Sequence, residues 1–423
     1  MDFEKLLNEI NCSCGMEHSC DIKDVVIGKD AIKKLGTLAE DYKSIIVVAD
    51  TNTYAVCGKT VEEQIADKIQ YTQVFQRDGV LIPDEFAIDE LSAKITDKTD
   101  LIIAVGSGVL QDLCKYVSFD RNLPYFVVAT APSMDGYASK GAAMIIGNMK
   151  VTYNAHVPRV IVADTNVLKT APIDMIKSGY GDILGKFSCL NDWKLSHVIN
   201  GEYICEYVYN LTYDMLNKTK DLGKLLIERN EDAIKILMEA LVGVGIAMAY
   251  VGNSRPASGS EHHLSHFFEI VGILKNEPYF MHGTDVAYSA VYTQYLREQL
   301  LEIEFPEVTS KITNDQWEQE IKRIYLNVSE GVIELQNKIK MYDKSDIDVC
   351  IKKWSEIKEV LKDAPSSSEM IEYLKSVELD VAEFEKMYGK EKINDAIYYA
   401  KDLKDRYSVL WLYYLLTKGQ KIN

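Results

Sequence analysis

Residues 101–112 read Leu-Ile-Ile-Ala-Val-Gly-Ser-Gly-Val-Leu-Gln-Asp. The uncharged apolar run at 101–105 predicts a buried strand, and the residues after Gly106-Ser107-Gly108 predict the start of a helix. A strand, a glycine turn and a helix in succession form the βα unit from which parallel sheets are built. The same alternation runs through roughly the first 165 residues. Strands are predicted at 44–50, 71–76, 101–105, 125–129 and 160–163, with helices such as 60–68 and 88–96 between them. Their β-branched, nearly charge-free runs suit strands covered on both faces. Residues 142–155 depart from this pattern and predict a hairpin turning near Gly147-Asn148. Beyond Val167 strand-like runs almost vanish and Leu, Glu and Lys at helical spacing dominate to the end. The expected organisation is therefore an α/β nucleotide-binding domain over 1–165 and an all-α domain over 166–423. A small-molecule site is expected in the cleft that such a pair leaves.

Composition sets outer limits. The chain has 423 residues, 47% hydrophobic and 26% charged, which suits a soluble protein of two domains. A net charge of −17 argues against a general nucleic-acid or anionic-membrane surface, which needs clustered Lys and Arg. The apolar stretch 240–252 is too short to span a bilayer and predicts a buried helix. The acidic N-terminus lacks the apolar core of a signal peptide. Eight scattered cysteines suggest a reducing cytoplasm.

Four of the seven histidines, His262, His263, His266 and His282, lie close together. His262 and His266 are four apart and share one face of a helix. Asp182, in Ser178-Gly-Tyr-Gly-Asp182, has the alternative role of a helix cap. Joined with two imidazoles it would complete a three-ligand metal site with a position open for substrate. The glycines at 106 and 108 let backbone N–H groups approach a pyrophosphate at a helix N-terminus, although such a turn is often only a turn. Asp50, at a strand end, is a candidate for a ribose hydroxyl or for a cap. The loop Thr130-Ala-Pro-Ser133-Met-Asp135-Gly-Tyr-Ala-Ser139 follows a strand, where ligands bind in open α/β sheets. Arg255, just before the histidines, suggests recognition of a phosphate or carboxylate, against a plain surface Arg. The cluster Cys12-x-Cys14-x-x-x-His18-x-Cys20 offers four soft ligands but matches no common zinc module. A reduced surface loop is the reading preferred for it.

Together these segments resemble a known family. GSGVLQD (106–112), TAPSMDGYAS (130–139), SGYGDILGKFSCLNDW (178–193), SRPASGSEHHLSH (254–266) and MHGTD (281–285) are similar to the sn-glycerol-1-phosphate dehydrogenases. These belong to the superfamily of iron-containing alcohol dehydrogenases, glycerol dehydrogenases and dehydroquinate synthases. The resemblance covers roughly residues 20–290, and the early cysteine cluster also looks like that of bacterial members. It implies a Rossmann-like domain followed by a helical one, as in dehydroquinate synthase. It implies one divalent metal, zinc or nickel, on Asp182, His262 and His282, with His263 the alternative to His262. It implies NADH or NADPH on Gly106, Ser107, Gly108 and Asp112, with Asp50, Thr130, Ser133 and Ser139 at other nucleotide contacts. Asp135 matches a substrate-touching position, and His266 the second His of a His-x-x-x-His element and the candidate proton relay. Asp50 hints at NADH, since a carboxylate repels a 2′-phosphate. The expected reaction is reduction of glycerone phosphate to sn-glycerol 1-phosphate, by a homodimer. The rivals are a glycerol dehydrogenase acting on unphosphorylated polyols, a dehydroquinate synthase, whose first ligand is Glu rather than Asp, and a non-catalytic metal- or nucleotide-binding regulator.

Overall fold

The computed structural model describes residues 1–8, 10–76, 81–147, 149–307, 314–343 and 347–417. The chain forms two compact units, one from Met1–Tyr180 and Lys224–Asn253, the other from Gly181–Gly223 and Ser254–Asn423. In place of a single boundary after residue 165, the first unit runs on to Tyr180 and takes in 224–253 again. The reason is the helix Glu231–Val251, which packs on the short turn Gly136–Ala138. Gly245 permits this approach, because a Cβ there would lie 2.8 Å from Ala138 Cβ and 2.9 Å from the Asp135 carbonyl oxygen. By length and composition this helix is apolar enough to cross a membrane, but most of its apolar side chains from Ala233 to Tyr250 are buried.

Among the described residues there are ten strands: β1 (Ile10–Asn11), β2 (Glu17–His18), β3 (Asp24–Gly28), β4 (Ile45–Asp50), β5 (Ile69–Phe75), β6 (Leu101–Gly106), β7 (Tyr125–Ala129), β8 (Gly141–Ile146), β9 (Met149–Asn154) and β10 (Val160–Asp164). All lie in the first unit. Six of them form a parallel sheet in the order β3-β10-β7-β6-β4-β5. The continuous apolar runs of β4, β6, β7 and β10 fall on its inner strands, where both faces are covered. Ile45, Val47, Leu101, Ile103, Phe126 and Val128 share one face and pack on Ile32, Leu35 and Val61. The edge strand β3 was not predicted. All five of its residues are only half-buried, so a long apolar run was never required of it. β8 and β9 form the predicted hairpin, with Ile146 opposite Met149 and Gly147 at φ +58°. Asn148 lies outside the described residues.

The topology itself selects a ligand position. β4 lies between β5, which follows it in the chain, and β6, which comes next, so the order of connection reverses between β4 and β6. In open α/β sheets the crevice at such a reversal, beyond the strands' carboxyl ends, is where nucleotides bind. Asp50 ends β4 and Gly106 ends β6. The described elements of the second unit are helices and short helical turns. Two of the helices, Ser260–Lys275 and His282–Leu301, pack on one another and carry the histidines.

Candidate active site

In the first unit, the glycine segment forms the turn from β6 into the helix Gly108–Asp120. Gly106 has no room for a side chain, since a Cβ would fall 2.4 Å from Leu110 Cδ1. Ser107 is extended and makes no side-chain capping bond among the described residues. The helix's first N–H groups therefore lack the usual hydroxyl cap and suit an anion. Gln111 Nε2 donates to the carbonyls of Gly136 (3.0 Å) and Tyr137 (2.9 Å). The buried Lys115 donates to the Gly141 carbonyl at 2.7 Å and pairs with Asp112 at 3.2 Å. These two side chains, which the sequence reading passed over, clamp the loop of Thr130, Ser133, Asp135 and Ser139 onto the helix. Thr130 and Ser133 are buried, and the Ser133 carbonyl accepts from Ser178 Oγ at 3.1 Å. Ser139 Oγ donates to the Gly136 carbonyl at 3.0 Å. Asp135 is buried at the start of the turn Gly136–Ala138. Asp50 is a cap here, accepting from the Thr53 amide at 2.8 Å in a reciprocal capping box.

In the second unit, Asp182, His262 and His282 come together with one ligand atom from each within 4.8 Å of the others. Asp182 is buried on the helix Ile173–Leu184, His262 lies in the first turn of Ser260–Lys275, and His282 begins His282–Leu301. The adjacent histidines differ in orientation. His262 Nδ1 donates to Glu261 Oε1 at 2.7 Å; a carboxylate only accepts, so Nδ1 carries the hydrogen. Its Nε2 is left as a lone pair facing Asp182 Oδ1 at 3.6 Å. His263 is buried elsewhere, and neither of its ring nitrogens has a hydrogen-bond partner among the described residues.

The electrostatics favour ligands in the protonation state that a metal needs. Burial pushes the Asp182 carboxyl up, but the Lys186 ammonium at 2.9 Å, then His262 and His282, outweigh it and hold it at about 2. Burial, with Lys186 and His282, holds His262 well below the usual imidazole range. One ionised carboxylate and a neutral imidazole in a fixed tautomer, joined by a second imidazole, fit a divalent metal. His266 lies one turn beyond His262, its ring centroid 6.0 Å from that of His262 and 5.4 Å from that of His282. It stands beside the three-residue group, half-buried.

Arg255 does not have the surroundings that the sequence suggested. It is buried, and its guanidinium makes a two-pronged pair with Glu202 (Nε–Oε1 2.7 Å, Nη2–Oε2 2.5 Å), with Nη2 also donating to the Tyr407 carbonyl at 2.8 Å. The charge from which phosphate recognition was expected is paired here with Glu202, 53 residues away in sequence. Glu261 was also missed, although its place directly before His262 was a usable signal. Its Oε1 accepts from His262 and from the Gly259 amide at 2.8 Å, and burial raises its pKa. Glu261→Gln is expected to weaken metal affinity about 10- to 100-fold, as loss of such outer partners typically does. Competition with a metal-chelating indicator would measure this, and unchanged affinity would show that Glu261 is only packing.

Residues 26–172 match the iron-containing alcohol dehydrogenase family. The chain is 34% identical over 301 residues to the glycerol-1-phosphate dehydrogenase [NAD(P)+] of Halalkalibacterium halodurans, covering 68% of this chain and 75% of that protein. It is 36% identical over 285 residues to the enzyme of the same name from Geobacillus thermodenitrificans, covering 65% and 70%. The fold is shared with a probable glycerol dehydrogenase from Sinorhizobium meliloti 1021, at a TM-score of 0.58 and 16% identity over 89% of this chain and 88% of the other. With a six-stranded parallel sheet, Asp182, His262 and His282 in one group, and relatives 34–36% identical over about two thirds of the chain, the chain belongs to the glycerol-1-phosphate dehydrogenase family of iron-containing alcohol dehydrogenases.

Proposed function

We propose that the chain reduces glycerone phosphate to sn-glycerol 1-phosphate, taking a hydride from NADH or NADPH and a proton from the protein. The observation that carries this reading is the group of the buried Asp182 and His262 with the half-buried His282, present in a chain that matches its glycerol-1-phosphate dehydrogenase relatives over three quarters of the first one's length. A divalent ion held there, zinc or nickel, supplies Lewis-acid polarisation of a carbonyl oxygen. Asp182 contributes a fixed negative charge, and His262 and His282 contribute neutral nitrogens. Glu261 keeps His262 in the ligating tautomer. His266 is the candidate to hold the proton that the new alkoxide takes up. Asp135 is the candidate to accept from a substrate hydroxyl.

Nucleotide binding is assigned to Gly106, Ser107, Gly108, Asp112, Thr130, Ser133 and Ser139, with Asp50 for the ribose. Support comes from the sheet's reversal point and the uncapped helix start. Lys115 and Gln111 hold that surface in shape. Arg255 is given a different part from the one first expected, fixing its loop through Glu202. A homodimer in a reducing cytoplasm remains the expected setting.

Because Arg255 is neutralised, glycerol dehydrogenase activity is the rival that this structure keeps open. The deciding experiment follows NADH oxidation by metal-stripped protein reloaded with zinc or nickel, offered glycerone phosphate or dihydroxyacetone. On the strength of the relatives' printed activity, a preference for the phosphate of at least about 100-fold in kcat/KM is expected, the scale of discrimination a pocket reaches between close analogues. Equal use of both, or a preference for dihydroxyacetone, would overturn the substrate assignment.

A further inference from the structure

The strands β1 and β2 pair antiparallel, Ile10 opposite His18 and Asn11 opposite Glu17, and close a small loop over residues 12–16. Gly15 turns that loop at φ +82°, a left-handed conformation that few other residues adopt. The loop brings Cys12, Cys14 and His18 together, one ligand atom of each within 4.8 Å of the others. Cys14 Sγ lies 3.3 Å from His18 Nε2. The Met16 amide points at Cys14 Sγ from 3.5 Å, the backbone donor that stabilises a thiolate. His18 is fully buried, and its Nδ1 lies 3.2 Å from the Tyr250 carbonyl oxygen. A carbonyl only accepts, so Nδ1 carries the hydrogen and Nε2 presents its lone pair towards Cys14 Sγ. A backbone carbonyl fixing the far nitrogen is how proteins orient a ligating imidazole. Cys20, which the sequence motif would have included, lies outside the group, and burial pushes its thiol up to about 11.

We propose that Cys12, Cys14 and His18 form a second metal site, separate from the Asp182 group and selective for zinc. Two thiolates and an imidazole suit zinc's preference for soft, tetrahedral S and N ligation and fill three of its four positions. Binding displaces the thiol protons of Cys12 and Cys14 to solvent, with no change of oxidation state. Its effect is structural. Tyr250 lies on Glu231–Val251, whose Glu239 pairs with the Met1 ammonium at 2.9 Å and whose Tyr250 hydroxyl donates to the Leu6 carbonyl. The site thus staples the first residues of the chain to that helix.

The test is metal counting on the full chain and on Cys14→Ser, His18→Gln and Cys20→Ser. The intact chain is expected to hold about one equivalent of zinc more than the Cys14 and His18 variants, and Cys20→Ser is expected to match the intact chain. With cobalt in place of zinc, a sulfur-to-cobalt charge-transfer band should appear in the near ultraviolet. That band should survive His282→Ala, because the Asp182 group has no sulfur. It should be lost in Cys14→Ser. If that variant does not fold, alkylation mapping of the intact chain decides: zinc should shield Cys12 and Cys14 but not Cys20. A cobalt-loaded chain without the band, or equal labelling of Cys12 and Cys14 with and without zinc, would overturn the proposal. No readout depends on turnover, so failure of the substrate assignment leaves this test standing.

Discussion

Asp182→Asn is expected to lower kcat/KM by about 1000-fold or more and to destabilise the fold at the same time. The catalytic loss would follow from removing the anionic member of the proposed metal site. Lewis-acid polarisation contributes several kcal/mol to the barrier, and each 1.36 kcal/mol is a factor of ten. The stability loss has a separate cause. Lys186 is fully buried, with its ammonium 2.9 Å from Asp182 and 3.0 Å from the Ala257 carbonyl oxygen. Removing the carboxylate charge strands that ammonium, and breaking one side of a buried pair costs about 3–5 kcal/mol. The two causes separate in a double variant. Asp182→Asn with Lys186→Met should regain most of the thermal midpoint and none of the turnover. Full metal content and normal turnover in Asp182→Asn would remove this carboxylate from the site. A double variant as unstable as the single one would show that Lys186 is not the source.

Arg297→Met should produce the second large effect, on a residue that touches no ligand. Its guanidinium is buried and bonds Asn191 Oδ1 (2.8 Å), Ser188 Oγ (3.2 Å), the carbonyls of Ser188 and Thr293 (both 3.1 Å) and Asp192 Oδ1 (2.8 Å). Asp192 in turn accepts from the amides of Ser260 (2.7 Å) and Val409 (2.9 Å). Ser260 begins the helix that carries His262, so this pair holds that helix start in place. Burial already raises the Asp192 carboxyl, with Arg297 opposing the rise. Without Arg297 the carboxylate is left buried and unmatched, again at about 3–5 kcal/mol. Urea unfolding would measure the loss, and Asp192→Asn in the same chain should recover part of it. A full-strength fold in Arg297→Met would refute the account.

The parts of this molecule legible in its sequence are those where one residue's neighbours are close in the chain. β4, β6, β7 and β10 announced themselves because strands covered on both faces must be apolar throughout. The glycine turn and the four-residue histidine spacing were visible for the same reason. β3 was hidden because an edge strand carries a weaker demand. The return of Glu231–Val251 to the first unit was hidden because apolarity shows that a helix is buried but not against what. The four-residue spacing to His266 favoured His262 over His263 but left a one-residue shift open, and the Glu261 bond shows how His262 is turned. The pairing of Arg255 was hidden for a related reason: its partner Glu202 lies 53 residues away. In the cysteine cluster the reverse happened, since adjacency suggested Cys20 and the loop's path left it out.

The spacing of the Asp182 group also bears on how the protein can change. A Cβ on Gly181, the residue before Asp182, would sit 2.4 Å from the Gly283 carbonyl oxygen and 2.8 Å from Ala287 Cβ. Gly185 is as confined, 2.5 Å from Val286 Cγ1. The aspartate's helix and the one that begins at His282 therefore meet main chain against main chain. That contact fixes the separation of the backbones that carry Asp182 and His282. A side chain at 181 or 185 would have to push neighbouring atoms aside, so this separation is guarded by residues that can scarcely be replaced.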